Sequence, residues 1–436
     1  MHHGATWLVG ISAAVLWLGF PATTLGESWA RVIGTGNIDD AYGLTTAGNG
    51  DIMLAGYTTM NGDNQDDVFL IRLKQDGGPR WMKAYGASGS QTAHSIMRSA
   101  SGGFYVAGNI ARGNDHDILC LSLTARGRIR WQMRYGGDGQ DGLNAAAATL
   151  DGGCILVGYT KSFGAGGLDA WCLKLSSSGA VQWQNAIGTT GDDVACSVSQ
   201  ISDGGYSVAG RQGSSLWVAS LDSTGEVRWE KTYAGDVRSL SATVRQTGGG
   251  DYFVLTEGVY SVGQSPACAL LRLSPAGDVV WARLFTDQTS RAVWSGTMEQ
   301  TRTGAIAVCG QKRQALHGPG DGWYMKLDGT GTIQTQSAFG EFLRSAGVTA
   351  DGGGVFAGGI YTAVGGYDMT VARVPASGQF EGGCDRFRAS GFTAYDGTIS
   401  VTSVASAETP TTIRGVATQL RSYTPEARVK DTCARR

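Results

Sequence analysis

Charge is scarce in this sequence: Asp, Glu, Lys and Arg make up 17% of its 436 residues, against about a quarter in an ordinary globular chain. The formal net charge is −2. A nucleic-acid-binding domain carries a basic footprint, so a nucleic-acid partner is excluded. Proline is nearly absent, at eight residues, and the 68 glycines keep no three-residue period. Collagen-like and proline-rich architectures are excluded on those grounds. An apolar content of 42% is too high for a disordered chain.

Long apolar runs are missing as well. The longest, Trp7 to Phe20, has fourteen residues, where a membrane helix needs about 20. That length suits the core of an export signal. Thr24 and Gly26 then supply small residues at the −3 and −1 positions of a cut before Glu27. No Lys or Arg precedes the run, which departs from the usual signal pattern, and a retained anchor is the alternative. The first cysteine is Cys120, far from the cut, which argues against a lipid anchor. The expectation is a signal peptide over 1–26 and a mature chain with no transmembrane span that is secreted, periplasmic or at the cell surface.

Catalytic signatures are equally scarce. The chain has no G-x-S-x-G, H-E-x-x-H, phosphate loop, S-x-x-K or C-x-x-C, so hydrolase, zinc and thiol-redox motifs find no support. Beyond the leader, histidine occurs only at His94, His116 and His317.

What the sequence does contain is a period. Tryptophans stand at 29, 81, 131, 183, 229 and 281, spaced 52, 50, 52, 46 and 52, and the next slot is Thr335. Four residues after each slot comes a large apolar side chain, from Ile33 and Tyr85 to Phe339. A second marker opens a strand at Asp67, Asp117, Asp169, Ser215, Ala267, Asp321 and Asp368. A third is a small residue before glycine, as in Ala55-Gly56 and Ala107-Gly108, which blade five replaces by Leu255-Thr256. Each unit of about fifty residues holds four short apolar stretches bounded by Gly, Asp and Ser, with no helical period. That matches one four-stranded propeller blade. The last unit lacks its tryptophan strand, and residues 28–34 form a lone one. The expected fold is therefore an all-β, seven-bladed propeller over 27–380, closed by the N-terminal strand.

Asp151 to Thr160 (DGGCILVGYT) and the stretch 162–175 (SFGAGGLDAWCLKL) resemble a secreted propeller repeat of bacteria and archaea. That repeat reads W-x-K-x-Y-G-G…D-G-G-Y-x-V-A-G…D-x-W-L-x-K-L-D-x-x-G. Leu221 to Trp229 is similar to the blade motif of quinoprotein dehydrogenases and outer-membrane-assembly propellers. The resemblance covers about residues 28–380 and implies a scaffold rather than a reaction. A quinone cofactor would bring the adjacent cysteine pair that this chain lacks.

After Phe380 the pattern stops. Residues 381–436 carry short alternating stretches, expected as a small β-rich C-terminal appendage packed on the propeller or as a tether. They are bracketed by Cys384 and Cys433, a candidate disulfide in an oxidising compartment. The six other cysteines fall on or at the start of apolar strand positions and read as core thiols.

Three patterns bear on function. Hard oxygen ligands at Asn61, Asp63, Gln65 and Asp67 make a calcium candidate, although the stretch lacks the turn glycine and terminal Glu of an EF-hand loop. The competing reading makes the recurrent aspartates turn formers. Basic residues two places after tryptophan (Arg31, Lys83, Lys231, Arg283) read as charges that guard an outer edge strand, and Arg128, Arg130 and Arg134 add a basic stripe on blade two. Finally, the start of the innermost strand differs in every blade: Tyr42, His94, Asn144, Cys196, Ala242, Trp294 and Arg344. A slot filled alike everywhere serves the fold, whereas one filled differently is free to bind, so Tyr42, His94, Asn144, Trp294 and Arg344 form a candidate pocket at the channel mouth. The same slot also reads as a merely exposed position that drifts. The sequence thus points to a non-enzymatic binding or scaffolding propeller with a protein or polysaccharide partner at the cell surface and no cofactor beyond calcium. The alternative is a propeller enzyme acting on a polysaccharide or small molecule at the channel mouth.

Overall fold

A computed structural model describes residues 28–35, 37–59, 65–113, 115–235, 237, 242–259, 267–286, 292–301, 304–313, 321–339, 342–349, 353–362, 366–375 and 377. In the tail it describes 387–389, 393–396, 399–403, 407–410, 416–417, 421–423 and 428–431. Seven antiparallel blades form a propeller ring, with no helix among the described residues. Blade one runs from the channel outward as Asp39–Thr46, Ile52–Thr58, Asp67–Leu73 and Pro79–Gly86. The order repeats from inner strands Gln91–Arg98, Asp141–Ala148, Asp193–Gln200, Ala242–Gln246 and Ala292–Gln300. Blade seven has three strands of its own, Phe342–Val348, Gly354–Thr362 and Gly366–Val374. The N-terminal strand Trp29–Gly34 completes it, with Trp29 opposite Arg373 and Ile33 opposite Met369. This is the closure that the tryptophan count required.

The core is divided among the interfaces. Each of seven apolar clusters joins facing sides of two neighbouring blades, as where Met53 and Leu70 of blade one meet Val106 and Leu121 of blade two. Strands buried on both faces account for the near-continuous apolar stretches.

The repeat motif is an inter-blade latch. The Trp29, Trp131, Trp183 and Trp229 indoles each donate to a carbonyl in the hairpin turn of the next blade, at 2.8–3.1 Å. The turn glycine lies against the ring and has positive φ, as at Gly225 (+91°), where a Cβ would sit 2.6 Å from Trp183. Only glycine meets both conditions cheaply. The basic residue two places on serves the same contact. Lys83 and Lys231 donate to the Arg126 and Ala276 carbonyls at 3.0 and 2.7 Å, each beside its own tryptophan ring.

These charges do not guard an edge, because the tryptophan strands are not outermost. The tail supplies a fifth antiparallel strand to every blade. Phe387–Ala389 joins blade six, Thr393–Asp396 blade five, Ile399–Ser403 blade four and Ala407–Pro410 blade three. Val416–Ala417 then joins blade two, Arg421–Tyr423 blade one and Arg428–Asp431 the N-terminal strand of blade seven. The tail is β-rich as expected, but among the described residues its strands pair with the blades and never with each other. Twist explains how one chain can do this. At about 20–25° per strand, three steps turn the outer strand by roughly 60–75° from the inner one. The outer strands therefore lie well toward the circumference, where a belt can meet them in succession and occupy their open hydrogen-bonding groups.

Candidate functional site

The variable slot is a β-bulge. Inner-strand register shifts between Ala41 and Gly43, Ala93 and Ser95, Leu143 and Ala145, Ala195 and Ser197, Ser295 and Thr297, and Leu343 and Ser345. The extra residue is Tyr42, His94, Asn144, Cys196, Gly296 and Arg344 in turn. A bulge leaves one residue outside the ladder and re-aims its side chain. The partner strand must come close beside it: a Cβ on Gly56 would lie 1.8 Å from the Asp40 carbonyl oxygen. That close approach accounts for the recurrent small-Gly pair. Blade five carries Thr256 there, paired directly with Ala242, and its inner strand pair shows no bulge among the described residues.

The register moves one candidate out of the slot, and a hydrogen bond occupies another. Trp294 lies opposite Gln311 in the regular ladder, two residues before the bulge, so Gly296 holds the blade-six position. Asn144 is at its bulge, but its amide donates to the Ala195 carbonyl of the next blade at 2.9 Å and ties blades three and four together.

The other three slot residues meet. Arg344, Tyr42 and His94 stand on the inner strands of blades seven, one and two. The Arg344 guanidinium lies 4.5 Å from the Tyr42 ring centre, and Tyr42 stacks on His94 at 5.2 Å with 13° between the planes. Tyr57 stacks more loosely on Tyr42, at 6.1 Å. The His94 ring nitrogen Nε2 is 3.2 Å from the Thr92 hydroxyl. Arg344 Nη2 pairs with Asp40 Oδ2 at 2.9 Å, with side chains 32% and 2% exposed, so the arginine reaches the channel and the carboxylate lies beneath it.

Electrostatics follow from burial. Burial pushes the Asp40 carboxyl up to about 6, against the opposing pull of Arg344, the Ala41 N–H and the Tyr42 hydroxyl. His94 is pushed down to about 4, by burial and then by the Arg344 charge, and is neutral at physiological pH. Burial opposes the charge on Arg344, but Asp40, Tyr42 and Tyr367 outweigh it. Asp40 Oδ1 and Arg344 Nε are buried and have no hydrogen-bond partner among the described residues. The sequence pattern did not single out Asp40, Tyr57 or Tyr367. The signal available was proximity: Asp40 is two residues before the slot and Tyr57 follows Gly56.

Other candidates resolve differently. Asn61 and Asp63 lie outside the described residues. Gln65 accepts from the Gly89 N–H, and Asp67 is buried against Gly86. Among the described residues no three His, Cys, Asp or Glu side chains are grouped for a metal. Several rim aspartates do form turns: Asp39 and Asp141 accept the N–H four residues earlier, from Thr35 and Gly137, at 2.7 and 2.6 Å, and Gln91 accepts from Ala87 at 2.8 Å. On blade two, Arg134 pairs with Asp117 at 2.5 Å and Arg130 with the Ser101 hydroxyl. His116 is exposed on the third strand of blade two, opposite Ala111, and His317, Cys384 and Cys433 lie outside the described residues. The six blade cysteines form no disulfide among the described residues, and five of them are buried.

No protein-family model and no curated protein matches the chain. Among solved structures, the Dos1 propeller is similar over 79% of this chain and 94% of its own, at 10% identity and a TM-score of 0.49. Sqt1 from Chaetomium thermophilum covers 80% and 98%, at 11% identity and TM-score 0.42. The polysaccharide lyase Uly1 covers 76% and 77%, at 9% identity and TM-score 0.32. Likeness at this level transfers no role, and the seven-bladed ring rests on this chain's own strand pairing.

Proposed function

We propose that this chain is a non-enzymatic binding and scaffolding propeller that is exported to the cell surface and takes an acidic sugar at the mouth of its channel. The observation that carries this reading is the column of Arg344, Tyr42 and His94 contributed by three successive blades. Aromatic faces suit the apolar side of a sugar ring, and a guanidinium suits a carboxylate through charge-assisted hydrogen bonds. His94 is engaged with Thr92 and Tyr42, and Asp40 is held beneath Arg344, so the groups met first by a ligand are a guanidinium and aromatic rings. The belt and latches give the column a rigid frame, which lowers the ordering cost of binding.

A glycan array followed by calorimetry tests the reading. Uronate-containing glycans should bind, and Arg344→Gln and His94→Ala should each weaken binding at least tenfold in protein whose circular dichroism shows the β-fold retained. Retained affinity in both variants would place the ligand elsewhere.

A further inference from the structure

The ion pair at the mouth suggests how such a ligand is admitted. Arg344 has five N–H donors in a planar fork. Nη2 is taken by Asp40 at 2.9 Å, while Nε is buried without a hydrogen-bond partner among the described residues. Asp40 is itself half satisfied, since Oδ1 is buried and accepts no hydrogen bond among the described residues. The Arg344 side chain, on an inner strand, is 32% exposed and that of Asp40 only 2%. A ligand arriving from the channel thus meets a cation already partnered from below.

Resting on the acidic-sugar reading, we propose that the ligand enters by exchange: its carboxylate replaces that of Asp40 on the Arg344 guanidinium, and Asp40 takes up one proton from solvent. The balance is simple. One carboxylate–guanidinium pair breaks, another forms, and the proton neutralises the carboxylate left behind. Two carboxylates at one buried guanidinium repel, and the one with less access to water is the one to be protonated. Asp40 is prepared for this, with burial already holding its carboxyl at about 6. Its titratable and charged surroundings are Arg344 and Tyr367 of blade seven, Tyr42, Tyr57 and Asp66 of blade one, and His94 of blade two. His94 is held near 4 and stays neutral above pH 5. Burial raises Tyr42 and Tyr57 further above neutrality and also raises Asp66, which lies in neither the ion pair nor the stack; Asp40 is the titrating group in contact with Arg344. The site then favours anionic sugars in acidic surroundings and releases them on neutralisation.

The test is calorimetry from pH 5 to 8 with tetragalacturonate and its methyl ester, in paired buffers of different ionisation enthalpy. Tetragalacturonate should bind and weaken by up to about tenfold per pH unit above roughly 6.5, with close to one proton taken up per site near pH 7. The ester should bind poorly at every pH. Asp40→Asn should bind tetragalacturonate with flat pH dependence and no proton uptake. If that variant does not fold, the proton count of the parent decides alone. Binding with neither pH dependence nor proton uptake overturns the exchange and leaves the acidic-sugar reading standing. Absence of binding even at pH 5, or equal binding of the ester, overturns both.

Discussion

Tyr135 of blade two donates its hydroxyl to the carbonyl of Gly179 in blade three at 2.6 Å, and both groups are buried. The same bond joins Tyr85 to Gly127 and Tyr233 to Gly277, each at 2.7 Å. Tyr135→Phe keeps the ring and strands the carbonyl, so it should lower stability by about 1–2 kcal/mol. Denaturant unfolding of Tyr85→Phe, Tyr135→Phe and Tyr233→Phe measures it. Three neutral results would show that the latch does not hold the ring together.

The N-terminal strand fills the gap between blade seven and the last belt strand. Deleting residues 27–36 should expose an edge on each side of that gap. Aggregation or a large fall in melting temperature is expected, and a deletion variant as stable as the parent contradicts the closure.

The belt is tested by truncation after residue 380. Tyr233 lies opposite Val401 and Phe285 opposite Ala394. Loss of these partners should speed hydrogen exchange along the tryptophan strands while the inner strands keep their protection. Unchanged exchange on the tryptophan strands would mean that the belt does not pair in solution.

The channel mouth should leave its mark on the pH dependence of stability. Burial holds Asp40 at about 6 and His94 at about 4, while unfolded chains titrate them near 3.9 and 6.5. Between about pH 4 and 6 the folded protein keeps an Asp40 proton that the unfolded chain has released, so this contribution is present in acid and lost as pH rises. The His94 contribution has the opposite sign: it is present above about pH 6.5 and lost as pH falls toward 4. Each is on the order of 3 kcal/mol, and they nearly cancel in the shared window. Relative to the parent, Asp40→Asn should therefore gain stability as pH rises through this range and His94→Asn should lose it. Two flat difference curves would show that neither group is titrating as buried.

Mass spectrometry of the non-reduced mature protein should find Cys384 linked to Cys433 and the six blade cysteines unlinked. A closed loop of about fifty residues is worth roughly 4 kcal/mol on the chain-entropy model, so reduction should lower the melting temperature. A bridge from either tail cysteine to a blade cysteine would contradict the core-thiol assignment.

The ring was legible because a latch repeats: tryptophan, base, aromatic and turn glycine recur together, and only a fold with identical neighbours needs that. The lone strand at Trp29 revealed closure for the same reason. The belt was not legible, because two- to five-residue strands that pair only with blades need no pattern of their own. Half of the mouth was visible. Variation picked out Tyr42, His94 and Arg344, but counting along the chain cannot locate a bulge, so Trp294 stood in for Gly296. Leu255-Thr256 was a signal passed over: without the glycine, blade five has no room for the bulge and so no slot. Asp40 escaped because a buried ion pair joins residues some three hundred positions apart.

The belt covers the blades in the order six, five, four, three, two, one, seven. Blades are synthesised in the opposite sense, and the belt is made last. A growing chain thus carries blade sheets whose rims stay uncovered until residues 387–431 appear, and blade one, the oldest, is among the last to be wrapped. A chain that stops soon after Val374 has a complete ring with bare rims, whereas one that stops later leaves bare only the blades whose belt strands are missing, blade seven first, then one, two and three. The extent of the belt thus records, blade by blade, how far the chain has been read.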